Sequence, residues 1–287
     1  MTGASGMVGF GLNRYFSGRG HVVVPAYNGN EIPEGVKLDI TDDGQVGKAM
    51  REIKPDWVLH CAAMTDVDGC ERDLKMAMAI NADAAGTVAG AAGECGAKMV
   101  FVSTSFVFGD SKEALLEDAP AKPVNNYGKS KLMGERKVAK SGAEHMIVRI
   151  DQPYGWVERR QKQDMVTGTL RKLEVGKPFK VVADWFNCPT YMGNFYDALY
   201  ALVEKGALGT YNCTGKERLS RFEWAKKIAE AWGLDGGLIE TVKSEELKLP
   251  AKRPDVLLDT GKVEKETGIG MIGVSEGMKR MKESGIA

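Results

Sequence analysis

Two residues in the stretch YGKSKLMGE (127–135) have the types and spacing to do chemistry. Tyr127 and Lys131 are four apart, so on a helix they share one face. A free phenol titrates near ~10, and an ammonium beside it favours phenolate and moves that value toward neutral, where proton transfer works best. Upstream, Thr104 in STS (103–105) carries a hydroxyl that can hold an oxygen as negative charge builds on it. As ordinary structure, the same residues would be a helix-start surface pair and a strand-end hydroxyl bonded to backbone. The choice between the readings rests on whether the chain builds a cofactor site beside them.

TGASGMVGFGL (2–12) supplies the first part of such a site. Gly3, Gly6 and Gly9 are three apart and apolar helix residues follow, so the backbone can turn tightly and present amides to a pyrophosphate at a helix N-terminus. A loop of this kind follows a strand of about six residues in a dinucleotide-binding fold, yet Met1 stands almost on it. We expect the natural protein to begin upstream, and dinucleotide binding depends on that missing strand, because without it two neighbouring strand edges keep unpaired backbone groups. AYNGN (26–30) shows neither an acid for a ribose 2′-hydroxyl nor an arginine for a 2′-phosphate, which leaves NAD and NADP both open. In KLDITD (37–42), Asp39 can meet an adenine edge or serve as a turn residue.

Around these stretches, short apolar runs alternate with helical patterns. Residues 21–27, 56–63, 98–105 and 145–150 read as buried parallel strands. Helix-length segments lie at 7–18, 43–53, 73–95 and 127–141, and the alternation predicts an α/β doubly wound parallel sheet. After residue 155 the rhythm breaks. Residues 193–206 predict an amphipathic helix, 209–215 a strand and turn, and 219–234 a helix with Ser220 as N-cap and Glu223 three residues on. We expect a dinucleotide-binding domain over 1–155, with 184–208 returning to it. A smaller, discontinuous substrate domain is expected over 156–183 and 209–287.

Composition excludes several classes. The 287 residues carry 39 Lys plus Arg against 39 Asp plus Glu, and the basic residues are dispersed apart from short clusters such as Arg159-Arg160. No nucleic acid and no membrane surface is expected as a partner, and no apolar run is long enough to span a bilayer. Five cysteines without a CxxC and three isolated histidines argue against zinc, any other metal site or a disulfide framework. The expected location is cytoplasmic.

Taken in order, TGASGMVG, LDITD, HCAAMTDVDGCE, INADAAGTVA, STSFVFG, NNYGKSKLMGE and RPDVLLDT resemble the dTDP-4-dehydrorhamnose reductase branch of the extended short-chain dehydrogenase/reductases, over nearly the whole chain. The resemblance implies a Rossmann-like nucleotide domain with NADP or NAD as cofactor. It would be held by Gly3, Ser5, Gly6, Met7, Val8, Asp39, Ile40, Cys61, Ala62, Ala63 and Thr65, together with Tyr127 and Lys131. The same resemblance makes Thr104 the hydroxyl that polarises a carbonyl and Tyr127 the general acid. Lys131 would hold the nicotinamide ribose and lower the tyrosine pKa. It places Thr65, Val67, Ser105, Phe106, Gln152 and Arg253 along a nucleotide-sugar substrate, with Arg253 available to the phosphates. Asn81 is implied to be packing rather than catalysis. A homodimer is implied too, although no residue here marks an interface.

The chain departs from the family pattern in two places. The family commonly reads STDYVFDG where this chain reads STSFVFGD, so Ser105 and Phe106 replace Asp and Tyr. After Arg149 the family often shows Thr-Ser-Trp-Val-Tyr-Gly; here IDQPYG follows, and Gln152 replaces a substrate-side tryptophan. The expected activity is reduction of a nucleotide-activated 4-keto-6-deoxy sugar, as in conversion of dTDP-4-dehydro-L-rhamnose to dTDP-L-rhamnose. The alternatives are a nucleotide-sugar epimerase or dehydratase, which would retain oxidised cofactor, and a regulatory subunit like the β subunit of methionine adenosyltransferase.

Overall fold

The computed structural model describes residues 1–158 and 161–285; Arg159 and Arg160 lie outside the described residues. The chain runs α1 (Met7–Ser17), β1 (Ala26–Tyr27), β2 (Val36–Lys37), α2 (Asp43–Ile53), β3 (Trp57–His60), α3 (Val67–Arg72), α4 (Leu74–Met78), a π-helical turn (Ala79–Asp83), α5 (Ala84–Glu94), β4 (Lys98–Thr104), a 3-10 turn (Ser105–Val107), β5 (Ala114–Leu115), α6 (Asn126–Lys140) and β6 (His145–Ile150). It continues through α7 (Met165–Val175), β7 (Phe179–Val182), β8 (Phe186–Asn187), α8 (Met192–Glu204), β9 (Gly209–Asn212), β10 (Leu219–Ser220), α9 (Arg221–Trp232), β11 (Ile239–Val242), β12 (Leu257–Leu258), α10 (Gly261–Thr267) and α11 (Val274–Glu283).

β3, β4, β6 and β9 form one parallel sheet in that order, with Trp57 opposite Lys98 and Met146 opposite Gly209. Their Val, Ile, Leu and Met side chains are apolar on both faces because helices cover both faces. One layer packs α1 and α8 on the sheet through Leu12, Phe16, Phe195, Leu199 and Leu202. The other packs α2, α5 and α6 through Val46, Val88, Ala92, Phe101 and Val138. Ala-rich α5 lets the backbone come close, which suits a helix wedged between its neighbours.

Met1 and Thr2 extend this sheet beyond β3. The Thr2 amide donates to Leu59 O (3.0 Å) and the Cys61 amide to Thr2 O (3.3 Å), while on the other side the Ala26 amide donates to Met1 O (2.7 Å). β1 then pairs in parallel with β2. The spatial order is therefore β2, β1, the 1–2 stub, β3, β4, β6, β9, a doubly wound arrangement. The strand expected over 21–27 is confined to Ala26–Tyr27. Val22, in the same run, stays 96% exposed.

The second unit is built from α7, α9 and α11 around Tyr154, Trp224, Ile228, Met278 and Met281. The β7–β11 parallel pair closes one side of it. Local signals set its helices. Ser220 accepts from the Glu223 amide while Glu223 returns a bond to the Ser220 amide, and Gly233 ends α9 at φ 67°. The domain boundaries differ from the sequence reading. Gly209–Asn212, expected in the substrate unit, is the β9 edge of the main sheet, and Val263 of α10 is buried against that same layer. β8, expected with the nucleotide domain, pairs with β10 instead. Short strands such as GTYN lack an apolar run, so only the ladder reveals which sheet they join.

Candidate active site

α6 carries Tyr127 and Lys131, and its placement is tightly constrained. The Asn125 side chain caps it by accepting from the Gly128 amide at 2.7 Å. A Cβ on Gly128 would sit 2.0 Å from Phe106 O, and one on Gly134 would sit 2.3 Å from Asn81 O, so the helix touches backbone on two sides. Asn81, in the π-helical turn, donates to Ser130 Oγ (2.9 Å) and Met64 O (3.0 Å) and accepts from the Met64 amide (2.8 Å). It thereby ties the loop after β3 to α6. Glu135, one more turn along the Tyr127–Lys131 face, grips Arg149 of β6 through two bonds of 2.9 and 2.7 Å and accepts from Ser103 Oγ at 2.6 Å. This ion pair is buried, and no local pattern announces it because its partners lie on different elements.

The three expected catalytic residues converge at the carboxyl ends of the strands. Thr104 ends β4 and its Oγ1 accepts from the Phe106 amide at 3.2 Å, which leaves its proton free to donate. The Tyr127 hydroxyl faces Thr104, and the Tyr127 ring meets Phe106 edge-on at 5.7 Å. Lys131 is 2% exposed; Nζ donates to Val102 O at 2.8 Å and lies 4.0 Å over the Phe101 ring. Burial pulls its pKa down to about 8, with Glu135 opposing. The expected lowering of the tyrosine is not found. Burial pushes the Tyr127 phenol up, Thr104 opposes this, and the negative charge of Asp151 adds to it. The ammonium is turned to the Val102 carbonyl rather than to the phenol. His60, buried beside Lys131, is held neutral: burial and then the lysine charge bring its pKa to about 3.

The glycine loop fits a dinucleotide. Gly6 is the N-cap of α1 with no side chain to cap it, so the first amides, including those of Met7 and Val8, lack a capping partner. A Cβ on Gly9 would stand 2.4 Å from Gly3 O, and one on Gly3 would stand 2.5 Å from the Ala62 amide nitrogen. Cys61 and Ala62 thus run directly under the loop, and Ser5 O accepts from Gln161 Nε2 at 3.2 Å. Burial raises the Cys61 thiol to about 12, so it is a packing group. Asp39 closes its own turn, accepting from the Thr41 amide (2.9 Å) and hydroxyl (2.7 Å), and Ile40 is buried in the α2 layer. Thr65 is exposed in the loop after β3 and Val67 begins α3. Gly3→Ala should destabilise the fold by more than about 1 kcal/mol, since Gly3 has φ 66° and no room. It should also weaken dinucleotide binding at least tenfold. Urea unfolding and fluorescence titration with NADPH and NADH check both.

On the substrate side, Ser105 and Phe106 are buried in the turn after β4. Gln152, at φ 37°, accepts from Arg221 Nη2 at 2.6 Å. Arg253 is already engaged: Nη1 and Nη2 each bond Asp68 at 2.7 Å, holding that carboxyl below its usual range. The Arg253 and Arg221 guanidinium groups lie 5.0 and 5.5 Å from the Trp185 ring. A cleft of about 740 Å³ opens there, lined by Asp110, Asp184, Trp185, Ser244, Pro250 and Arg253. The sequence reading did not find Asp151, Asn187 or Arg221. Among the described residues no cluster of His, Cys, Asp and Glu is placed to hold a metal, and no helix is long and apolar enough to cross a membrane.

Known proteins share this chain's sequence pattern and fold. The family model described as RmlD substrate binding domain matches residues 1–284. A probable low-salt glycan biosynthesis reductase of Haloferax volcanii is 32% identical over 93% of this chain and 91% of its own length. The methionine adenosyltransferase 2 subunit beta of Pongo abelii is 29% identical over 97% of this chain and 86% of its own. Among solved structures, dTDP-4-dehydrorhamnose reductase from Bacillus anthracis in complex with NADP superposes with a TM-score of 0.90 at 31% identity, covering 99% of this chain and 97% of that one. With a match over the full fold and the Thr–Tyr–Lys constellation at the strand ends, the chain belongs to the RmlD substrate binding domain family, the dTDP-4-dehydrorhamnose reductase family of NAD(P)-dependent oxidoreductases.

Proposed function

We propose that the protein reduces the ketone of a nucleotide-activated 4-keto-6-deoxy sugar, with dTDP-4-dehydro-L-rhamnose as the first substrate to test. The observation that carries this reading is the Tyr127 hydroxyl facing Thr104, one helical turn from buried Lys131. Bound NADPH or NADH supplies the hydride. Gly3, Gly6 and the first turn of α1 would hold its pyrophosphate, and Lys131 its ribose. Thr104 and Tyr127 donate hydrogen bonds to the sugar oxygen, and these bonds strengthen as it becomes an alkoxide. The raised pKa of Tyr127 keeps the phenol protonated at neutral pH. Proton transfer to an alkoxide, a far stronger base, is downhill from there. The free cysteines suit the reducing cytoplasm, where we place the reaction.

The test mixes the purified full chain, NADPH or NADH and dTDP-4-dehydro-L-rhamnose, and follows loss of nicotinamide absorbance. Turnover supports the reading. No turnover with this or several other nucleotide keto sugars refutes it.

A further inference from the structure

Four polar atoms gathered around the Asp151 carboxyl are shielded from solvent and make no hydrogen bond of good geometry: Ser105 Oγ, Asp151 Oδ1, Asn187 Oδ1 and Arg221 Nε. They come from four places, the ends of β4 and β6, β8, and the first residue of α9. The antiparallel β8–β10 pair sets Asn187 opposite Leu219, just ahead of Arg221, and the Asp151 carboxyl faces both Ser105 and Asn187.

The groups are held, not loose. Asp151 Oδ2 accepts from the Cys188 amide at 2.8 Å, and the Asp151 main chain is bonded to Thr190 on both sides, at 3.1 and 2.9 Å. Its other oxygen therefore cannot swing away. The Arg221 amide donates to Trp185 O at 2.9 Å, and Nη2 donates to Gln152 Oε1 at 2.6 Å. Gln152 keeps a left-handed backbone, at φ 37°, to make that contact, and such strain clusters at functional sites.

The donor and acceptor count identifies the ligand chemistry. The Asp151 and Asn187 oxygens accept, Arg221 Nε donates, and the Ser105 hydroxyl does either. An anion would be repelled by the two acceptor oxygens. A methyl or deoxy position would leave the Asp151 carboxyl with only its poorly aligned contacts to Ser105 and Asn187, and Arg221 Nε unmet. A neutral group that both donates and accepts fits, and on a sugar that group is a ring hydroxyl.

We propose that Ser105, Asp151, Asn187 and Arg221 form a hydroxyl-reading wall that selects hexoses with free ring hydroxyls next to the reacting carbonyl. Gln152 is a positioning residue for Arg221. The proposal rests on the reductase reading for its substrate, but binding alone can test it.

Calorimetry on the full chain compares dTDP with dTDP-L-rhamnose. Wild type should bind the sugar nucleotide about tenfold or more tighter than dTDP, because each hydrogen bond to a charged group contributes on that scale. In Asp151→Asn, which keeps the shape but turns an acceptor into a donor, the two affinities should converge while that for dTDP stays unchanged. Ser105→Ala, which removes one orphan hydroxyl, gives the same readout should the first variant fail to fold. With a keto sugar, Gln152→Ala should raise KM severalfold with kcat and Tm held, and Gln152→Glu, which keeps the acceptor, should restore it. Unchanged preference for the sugar nucleotide in both Asp151→Asn and Ser105→Ala overturns the wall. Loss of preference together with no turnover of any keto sugar supports the wall and sinks the reductase reading alone.

Discussion

Tyr127→Phe is expected to lower turnover about a thousandfold, within the 10²–10⁴ range typical of a positioned proton donor. Phe keeps the ring that meets Phe106 edge-on at 5.7 Å, so the helix start and its packing stay as they are. The variant loses the hydroxyl that faces Thr104 and nothing else. Its affinity for NADPH, measured by fluorescence, should stay within about twofold of wild type, because no cofactor contact of the glycine loop changes. Equal kcat in the two proteins would remove Tyr127 from the mechanism. A raised phenol also predicts that no part of the kcat–pH profile below pH 9 belongs to Tyr127.

Lys131→Met should separate activity from stability. The ammonium is 2% exposed, and burial brings its pKa from 10.5 to about 8. A base with a lowered folded-state pKa binds its proton less well in the folded state than in the unfolded one. Stability therefore rises with pH between about 8 and 10.5, and below that window the folded state carries the whole penalty, about 3 kcal/mol. Met has similar length and no charge. It gives up the bond to Val102 O, so the net gain at pH 7 should be about 2 kcal/mol. Turnover should fall about a hundredfold or more, with loss of the cation beside the reacting centre. Urea melts of both proteins at pH 7 and pH 10.5 check the sign: the advantage of the variant should shrink as pH rises. A variant less stable than wild type at pH 7 would show that the buried charge is favourable, not costly.

What could be read from the sequence was local. Tyr127 and Lys131 announced themselves by four-residue spacing, and Ser220 with Glu223 by a capping pattern that needs only its own helix. The glycine loop was equally plain. The run at 21–27 reads as a strand by its apolar letters, yet only Ala26–Tyr27 finds ladder partners, and letters alone do not show where a neighbour lies. Gly209–Asn212 shows the converse, a weak pattern with a strong ladder to β6. Asp151, Asn187 and Arg221 could not be assembled at all. They are separated by dozens of residues, and only the crossings between the two units bring them beside Ser105. The same holds for Glu135 and Arg149. The expected pull of Lys131 on the phenol failed because an i, i+4 relation fixes a shared face but not where a long side chain points.

Gly128 and Gly134 seat α6 against the carbonyls of Phe106 and Asn81, with space on neither side for even a methyl group. A rod wedged in this way can neither slide nor roll, so Tyr127 and Lys131 keep their places before any ligand arrives. The segments facing it are pinned as well, Asp151 by Thr190 and Arg221 by the Trp185 carbonyl, so both sides are set in advance. On the proposed reading, substitutions at Gln152 or Arg221 would alter sugar preference while α6 is left undisturbed.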